Sequence, residues 1–162
     1  MKRTFGLLLL VSALSPWVSA QDKTYSEGHG YAFFAPGGTS PSAVALAHVG
    51  VGAEGFFTRY LGFGMEGGYV TPIRHWSYGI GTFSPDFVVR FRAKDKTHKI
   101  EPFVAGGYTL FFRSGTANGF NYGVGVNYWV KNRLGLRFEV RDNVWTSGGV
   151  LQHIGFRIGV TF

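Results

Sequence analysis

The chain contains no cysteine, so neither a disulfide framework nor a thiolate metal site can contribute to it. Charge is also scarce. Asp, Glu, Lys and Arg make up 15% of the residues, against about 25% in an ordinary soluble domain. No run reaches the roughly 20 apolar residues that a membrane-spanning helix needs. Beyond the first twenty positions, no stretch repeats with the helical period. Phosphate-binding loops, calcium loops and catalytic triads are missing. The basic residues form no stripe attached to a nucleic-acid motif, so no nucleic-acid partner is expected. What remains is glycine, 25 residues of it, and aromatic side chains at 17%. Those two without charge point to a β-barrel.

The first twenty residues read as a segment apart from the fold. Lys2 and Arg3 give a positive start, "FGLLLLVSAL" is an apolar stretch too short to span a bilayer, and "VSA" before Gln21 is a small-residue cleavage site. We expect a signal peptide over 1–20, cleaved after Ala20, and a single barrel domain over 21–162. A secretory route also implies an extracytoplasmic location.

Past the signal, apolar and polar residues alternate in segments recurring about every 18 residues, the spacing of a short barrel strand plus one connection. Eight strands are expected: 27–35, 43–56, 61–70, 80–92, 100–112, 120–130, 134–142 and 152–162. The stretches "PGGTSPS", "TPIRHWSYG", "RSGTANG" and "NVWTSGGV" read as outward loops. "FTRY", "AKDKTHK" and "KNR" read as periplasmic turns, because an even strand count starting inside leaves both ends in the periplasm.

One face of these strands collects Glu54, Glu66, Asp86, Glu101 and Glu139 against Arg90, Arg92, Arg137, Arg141 and Arg157. Five acids meet five bases, and each base is arginine. A water-facing surface would mix in lysine. A crowded, partly desolvated interior favours arginine, whose planar fork grips carboxylates, and needs sign balance because an unpaired buried charge is costly. Gly50, Gly52, Gly64, Gly123, Gly125 and others fall on the same face, making room in a lumen barely wide enough for side chains. The opposite face is Val, Leu, Ile, Phe and Ala. It ends in rings: Tyr60, Phe91, Tyr128 and Phe162 at one level, Tyr69, Tyr108, Phe112 and Phe120 at the other. Such girdles belong at bilayer boundaries. The pattern predicts an all-β, eight-stranded antiparallel up-and-down transmembrane barrel, worn with its apolar face outward.

The chain finishes on "HIGFRIGVTF", with Phe156, Ile158, Val160 and Phe162 in alternate register. Together with "NRLGLRFEVRDN" and "IEPFVAGGY" it resembles the small bacterial outer-membrane barrels of the OmpA/OmpX/NspA-like family over essentially all of 27–162. The resemblance implies an outer-membrane location and contact with outer-membrane lipid and lipopolysaccharide. It also implies delivery by periplasmic chaperones to the barrel-assembly machinery, which reads a C-terminal strand of this kind.

Candidate chemistry is thin. "HWS", His75 to Ser77, matches the H-x-S pair of outer-membrane lipid A deacylases, but that pattern continues with Asn near the C-terminus. Here Tyr78 follows, mid-chain, in a Pro-initiated loop. An ordinary loop His and Ser is the simpler reading. His29, His48 and His153 fall on lumen faces, where a metal site and plain polar filling both fit; filling is the default, so no metal and no cofactor are expected. Trp76 and Trp145 read as outward-loop residues, either contact sites or interfacial anchors. The expected function is non-enzymatic: a plugged barrel serving envelope integrity or surface interaction. The alternatives are a small gated pore and a lipid A hydrolase using His75 and Ser77.

Overall fold

A computed structural model describes residues 28–40, 42–92, 99–146 and 151–162; the expected signal peptide lies outside them. Eight strands follow in chain order: β1 His29–Ser40, β2 Ala45–Phe56, β3 Leu61–Pro72, β4 Ile80–Arg90, β5 Ile100–Phe112, β6 Thr116–Lys131, β7 Leu134–Trp145 and β8 Leu151–Thr161. Each pairs antiparallel with the next, and β8 returns to β1 to close the barrel. Closure removes every free edge, which is the condition for strands to lie in hydrocarbon.

Period-two patterning places each strand, but several ends run further than the turn chemistry predicts. β1 continues through the "PGGTS" expected to be a turn, β6 begins at Thr116 rather than 120, and β7 continues to Trp145. Pro36 is accommodated because the β1–β8 ladder passes from Phe34↔Ile158 to Gly37↔Gly155, leaving Ala35 and Pro36 without partners on that side. Proline has no N–H to give, so it sits where the ladder skips. Pro85 repeats the device in β4, where pairing with β5 jumps from Phe83↔Leu110 to Asp86↔Gly107. The connections at this end of the barrel are correspondingly short, that between β5 and β6 being only residues 113–115.

The barrel is filled by polar residues and clad in apolar ones. Arg137 and Arg141 are each 1% exposed, whereas their strand neighbour Phe138 is 42% exposed and Phe156 is 64%. Exposed apolar side chains circle the wall on every strand. In water such a belt would be an aggregation surface; around a closed barrel it is the lipid-facing band.

Candidate functional site

The lumen is the chemically distinctive part of the molecule, and period-two geometry builds it. Arg137, Glu139 and Arg141 alternate along β7 and so share its inner face. Glu139 bridges its two neighbours: Arg137 Nε donates to Oε2 at 3.1 Å and Arg141 Nε to Oε1 at 2.5 Å. Arg141 then reaches across the lumen, donating through Nη1 to Asp86 Oδ2 at 2.6 Å. Arg137 reaches the other way, its Nη2 lying 2.8 Å from Glu54 Oε1. The chain of contacts ends on His29, whose Nε2 is 3.2 Å from Glu54 Oε2.

A second clamp crosses from β8 to β3. Arg157 grips Glu66 with both terminal nitrogens, Nη2 donating to Oε1 at 3.0 Å and Nη1 to Oε2. Tyr31 adds its hydroxyl to Glu66 Oε2 at 3.1 Å. Bidentate pairing of this kind fixes geometry as well as charge. Neutral groups complete the lattice: Asn121 Nδ2 donates to Asp86 Oδ1 at 2.8 Å and to Thr109 Oγ1 at 2.9 Å. Rings pack on the guanidinium faces, Arg137 lying between Tyr31 (4.2 Å) and Phe103 (4.0 Å), with Arg157 over Phe33. Glycine makes this possible. A Cβ on Gly52 would stand 2.4 Å from Tyr31 Cζ, and one on Gly125 2.4 Å from Phe103 Cζ.

The remaining members of the expected set lie toward the end that holds the β2–β3, β4–β5 and β6–β7 turns. Arg90 Nη1 is 3.9 Å and Arg92 Nε 3.6 Å from Glu101 Oε2, with Arg92 partly exposed at the rim. Arg90 also lies over the Phe56 ring at 3.7 Å. Tyr31, Phe33 and Asn121 were not singled out from sequence. Tyr31 and Phe33 share the parity of His29, and Asn121 shares that of Gly123 and Gly125, so the signal for all three was present.

The opposite mouth is aromatic. Trp145, expected in a loop, instead ends β7 with its ring inward and buried, stacked on Phe111 at 4.3 Å between centroids. It is not a surface contact residue. Below it lie His153 and His48, with ring centroids 6.4 Å apart, and His48 Nε2 stands 3.2 Å from Thr82 Oγ1. His29 is at the other end, against Phe56 and Trp129. The three histidines therefore do not converge, and among the described residues no group of three His, Cys, Asp or Glu could hold a metal ion.

Trp76 is exposed in the β3–β4 connection, within a single 3-10 turn, Trp76–Tyr78. His75 caps that turn, and its ring packs edge-on against Tyr78. β3 ends at Pro72, so His75 and Ser77 do not share a strand face. Among the described residues no hydrogen bond joins the His75 ring to the Ser77 hydroxyl, and no carboxylate orients the ring. Ser77 contributes its carbonyl instead, accepting from Arg113 Nη2 at 2.9 Å. Phe156, Ile158 and Val160 face outward from β8, and Phe162, just past its end, is exposed too.

No family model matches the sequence, and no curated protein matches it. Solved structures do share its shape. The N-terminal β-barrel domain of Pseudomonas aeruginosa OprF superposes with a TM-score of 0.63 at 15% identity, covering 86% of this chain and 98% of that one. Neisserial surface protein A, NspA, gives 0.61 at 15% identity, covering 85% and 95%. The outer membrane enzyme PagL gives 0.61 at 15% identity, covering 80% and 97%. At such identities the likeness is one of fold alone, and it extends to an enzyme. Closed strands, an apolar belt and this likeness together give one conclusion: the chain has the fold of the small outer-membrane β-barrels.

Proposed function

We propose that the protein is a non-enzymatic outer-membrane barrel with a closed lumen, serving envelope integrity or surface interaction. The observation that carries this reading is the Arg/Glu lattice. Guanidinium and carboxylate groups from β2, β3, β4, β7 and β8 meet across the lumen axis, and each is nearly inaccessible to solvent. A water channel would leave such groups hydrated and apart. In a small barrel they act as struts that tie opposite walls together, because removing one partner strands the other in a dry interior. Residues 1–20 are, in this reading, a signal peptide removed on export.

Outside the cell, the exposed Trp76 and Tyr78 in the β3–β4 connection supply the aromatic surface suited to a partner or to the lipid interface. Lipopolysaccharide surrounds that end, and the assembly machinery is met through the outward-facing Phe156, Ile158, Val160 and Phe162. Planar-bilayer recording tests the closed lumen: the native protein is expected to give no discrete conductance steps, and regular steps would overturn the reading.

One observation favours a narrow pore as the second reading. Among the described residues several buried polar atoms lack a hydrogen-bond partner, including Asn127 Oδ1, Glu101 Oε1 and both ring nitrogens of His153. Such atoms are where ordered water sits. The stacked Phe111–Trp145 pair at the mouth would then be the gate, and its removal would raise conductance.

A further inference from the structure

Among the described residues lysine is absent from the lumen, and its two positions, Lys99 and Lys131, both lie at one rim. From residue 28 onward its four positions are 94, 96, 99 and 131, all in or beside the connections that follow β4 and β6. Lys94 and Lys96 lie outside the described residues. The described part of this rim carries Arg59, Arg92, Lys99, Lys131 and Arg133, and no acid occurs among the described residues of its three connections. The inner acids Glu54 and Glu101 are buried in the lumen, engaged with Arg137, Arg90 and Arg92.

Two backbone hydrogen bonds and one from a side chain hold these connections side by side. Arg90 N donates to Tyr60 O at 2.8 Å, and Arg59 Nη2 donates to Arg92 O at 2.9 Å, joining the β2–β3 and β4–β5 ends. Trp129 N donates to Lys99 O at 2.7 Å, joining the β4–β5 and β6–β7 ends. The cations therefore form one arc along half of the rim. Each is also the sequence neighbour of an exposed lipid-facing side chain: Arg59 of Tyr60, Arg92 of Phe91, Lys99 of Ile100, Lys131 of Val130 and Arg133 of Leu134. An apolar or aromatic residue at the edge of the belt fixes the depth of the hydrocarbon boundary. A long cationic side chain next to it reaches the headgroup layer just beyond.

The opposite rim is different. Its described cations are Arg74 and Arg113, and Arg113 is already engaged, donating to the carbonyls of Ser77 and Tyr78 and lying over the Tyr78 ring. Among the described residues Lys99, Lys131 and Arg133 make no ion pair.

We infer that this basic arc is a docking surface for the phosphodiester headgroups of anionic phospholipids in the periplasmic leaflet. The chemistry fits a negatively charged layer lying level with the girdle. It does not require a shaped pocket, and the cations are spread along the bilayer boundary rather than gathered at a point. The assignment of leaflet rests on the proposed orientation, with both chain ends in the periplasm.

The test is lipid selectivity of the folded, full-length mature protein in phosphatidylcholine bilayers containing a minority of phosphatidylglycerol, read with spin-labelled analogues of each lipid. The native protein is expected to associate with phosphatidylglycerol several-fold more strongly than with phosphatidylcholine, with the preference shrinking as salt rises. A cation near an anionic leaflet contributes about fivefold in affinity. The triple variant Lys99→Gln, Lys131→Gln, Arg133→Gln should thus lose most of the preference while keeping the heat-modifiable gel migration of a folded barrel. Arg74→Gln with Arg113→Gln should lose less. Equal association of the two lipids, or a larger loss from the outer pair, overturns the inference. So does an arc-dependent preference for lipid A over phosphatidylglycerol, or arc-dependent sedimentation with peptidoglycan sacculi. Orientation is read separately: with no native cysteine, Asn132→Cys in intact cells should resist a membrane-impermeant maleimide. Labelling there would overturn the leaflet assignment and the proposed orientation while leaving the measured headgroup selectivity intact.

Discussion

Glu139 and Arg141 face each other from positions two apart on β7, Oε1 to Nε at 2.5 Å, and the second carboxylate oxygen holds Arg137 at 3.1 Å. One carboxylate thus separates two guanidiniums that would otherwise be neighbours in a dry lumen. Glu139→Ala leaves both without it, and the loss of one partner in a buried ionic set costs about 3–5 kcal/mol. Urea unfolding in lipid vesicles, followed by tryptophan emission, is expected to show that loss. Glu139→Gln should show much of it, since the amide keeps the shape but not the charge. If Glu139→Ala unfolds at the native urea concentration, the lattice does not hold the barrel together.

Glycine on the inner face is a packing requirement rather than a backbone one. Gly125→Val would drive a Cβ to 2.4 Å from Phe103 Cζ and 2.6 Å from Phe138 O. Overpacking of a filled interior costs about 1–3 kcal/mol, and here the backbone carbonyl cannot move aside. The variant should lower the temperature at which the folded gel band is lost. Gly55→Ala, where nothing stands within 4 Å of the added carbon, should migrate as the native protein does.

The strand number, order and inner face were legible because period two survives along all eight segments. The ends were less so. "PGGTS" carries every local mark of a turn, yet partners on both sides extend β1 through it, and only the ladder with β8 reveals why Pro36 is tolerated. Trp145 was misplaced for the same reason: β7 runs on past Asp142 because β6 and β8 pair with it as far as Gly119 and Leu151. Balanced charge on one face could be counted from sequence, but not who meets whom. Arg157 and Glu66 are 91 positions apart, and their meeting depends on the closure and diameter of the barrel.

Orientation of the wall is tested by depth. Val124 is 58% exposed near the middle of β6, so Val124→Arg should cost about 2–4 kcal/mol in vesicle unfolding, while Tyr128→Arg near the boundary should cost about 0–1 kcal/mol. A soluble barrel with its apolar face to water would show no such gradient, and equal costs at the two sites would remove the belt from the bilayer.

The tryptophans give an optical check on the mouth. Trp76 is 55% exposed whereas Trp145 is 9% exposed and stacked on Phe111. With the other tryptophans replaced by Phe, a Trp76 reporter should be quenched readily by aqueous acrylamide and a Trp145 reporter weakly. Phe111→Ala removes the stacking partner and should make Trp145 more quenchable. Strong quenching of Trp145 in the otherwise native barrel would place it back in an open loop.

The H-x-S pair gives the last prediction. Catalysis by a serine needs its hydroxyl within reach of a base that a third group orients. Ser77 and His75 instead lie exposed around one 3-10 turn, and Arg113 fastens that turn through the carbonyls of Ser77 and Tyr78. Substituting Ser77→Ala keeps that carbonyl, so the turn should persist. The lipid A mass distribution of cells expressing Ser77→Ala should match that of cells expressing the native protein. An acyl-chain mass difference between the two would show that the turn rearranges into a working dyad at the membrane, and the non-enzymatic reading would fall with it.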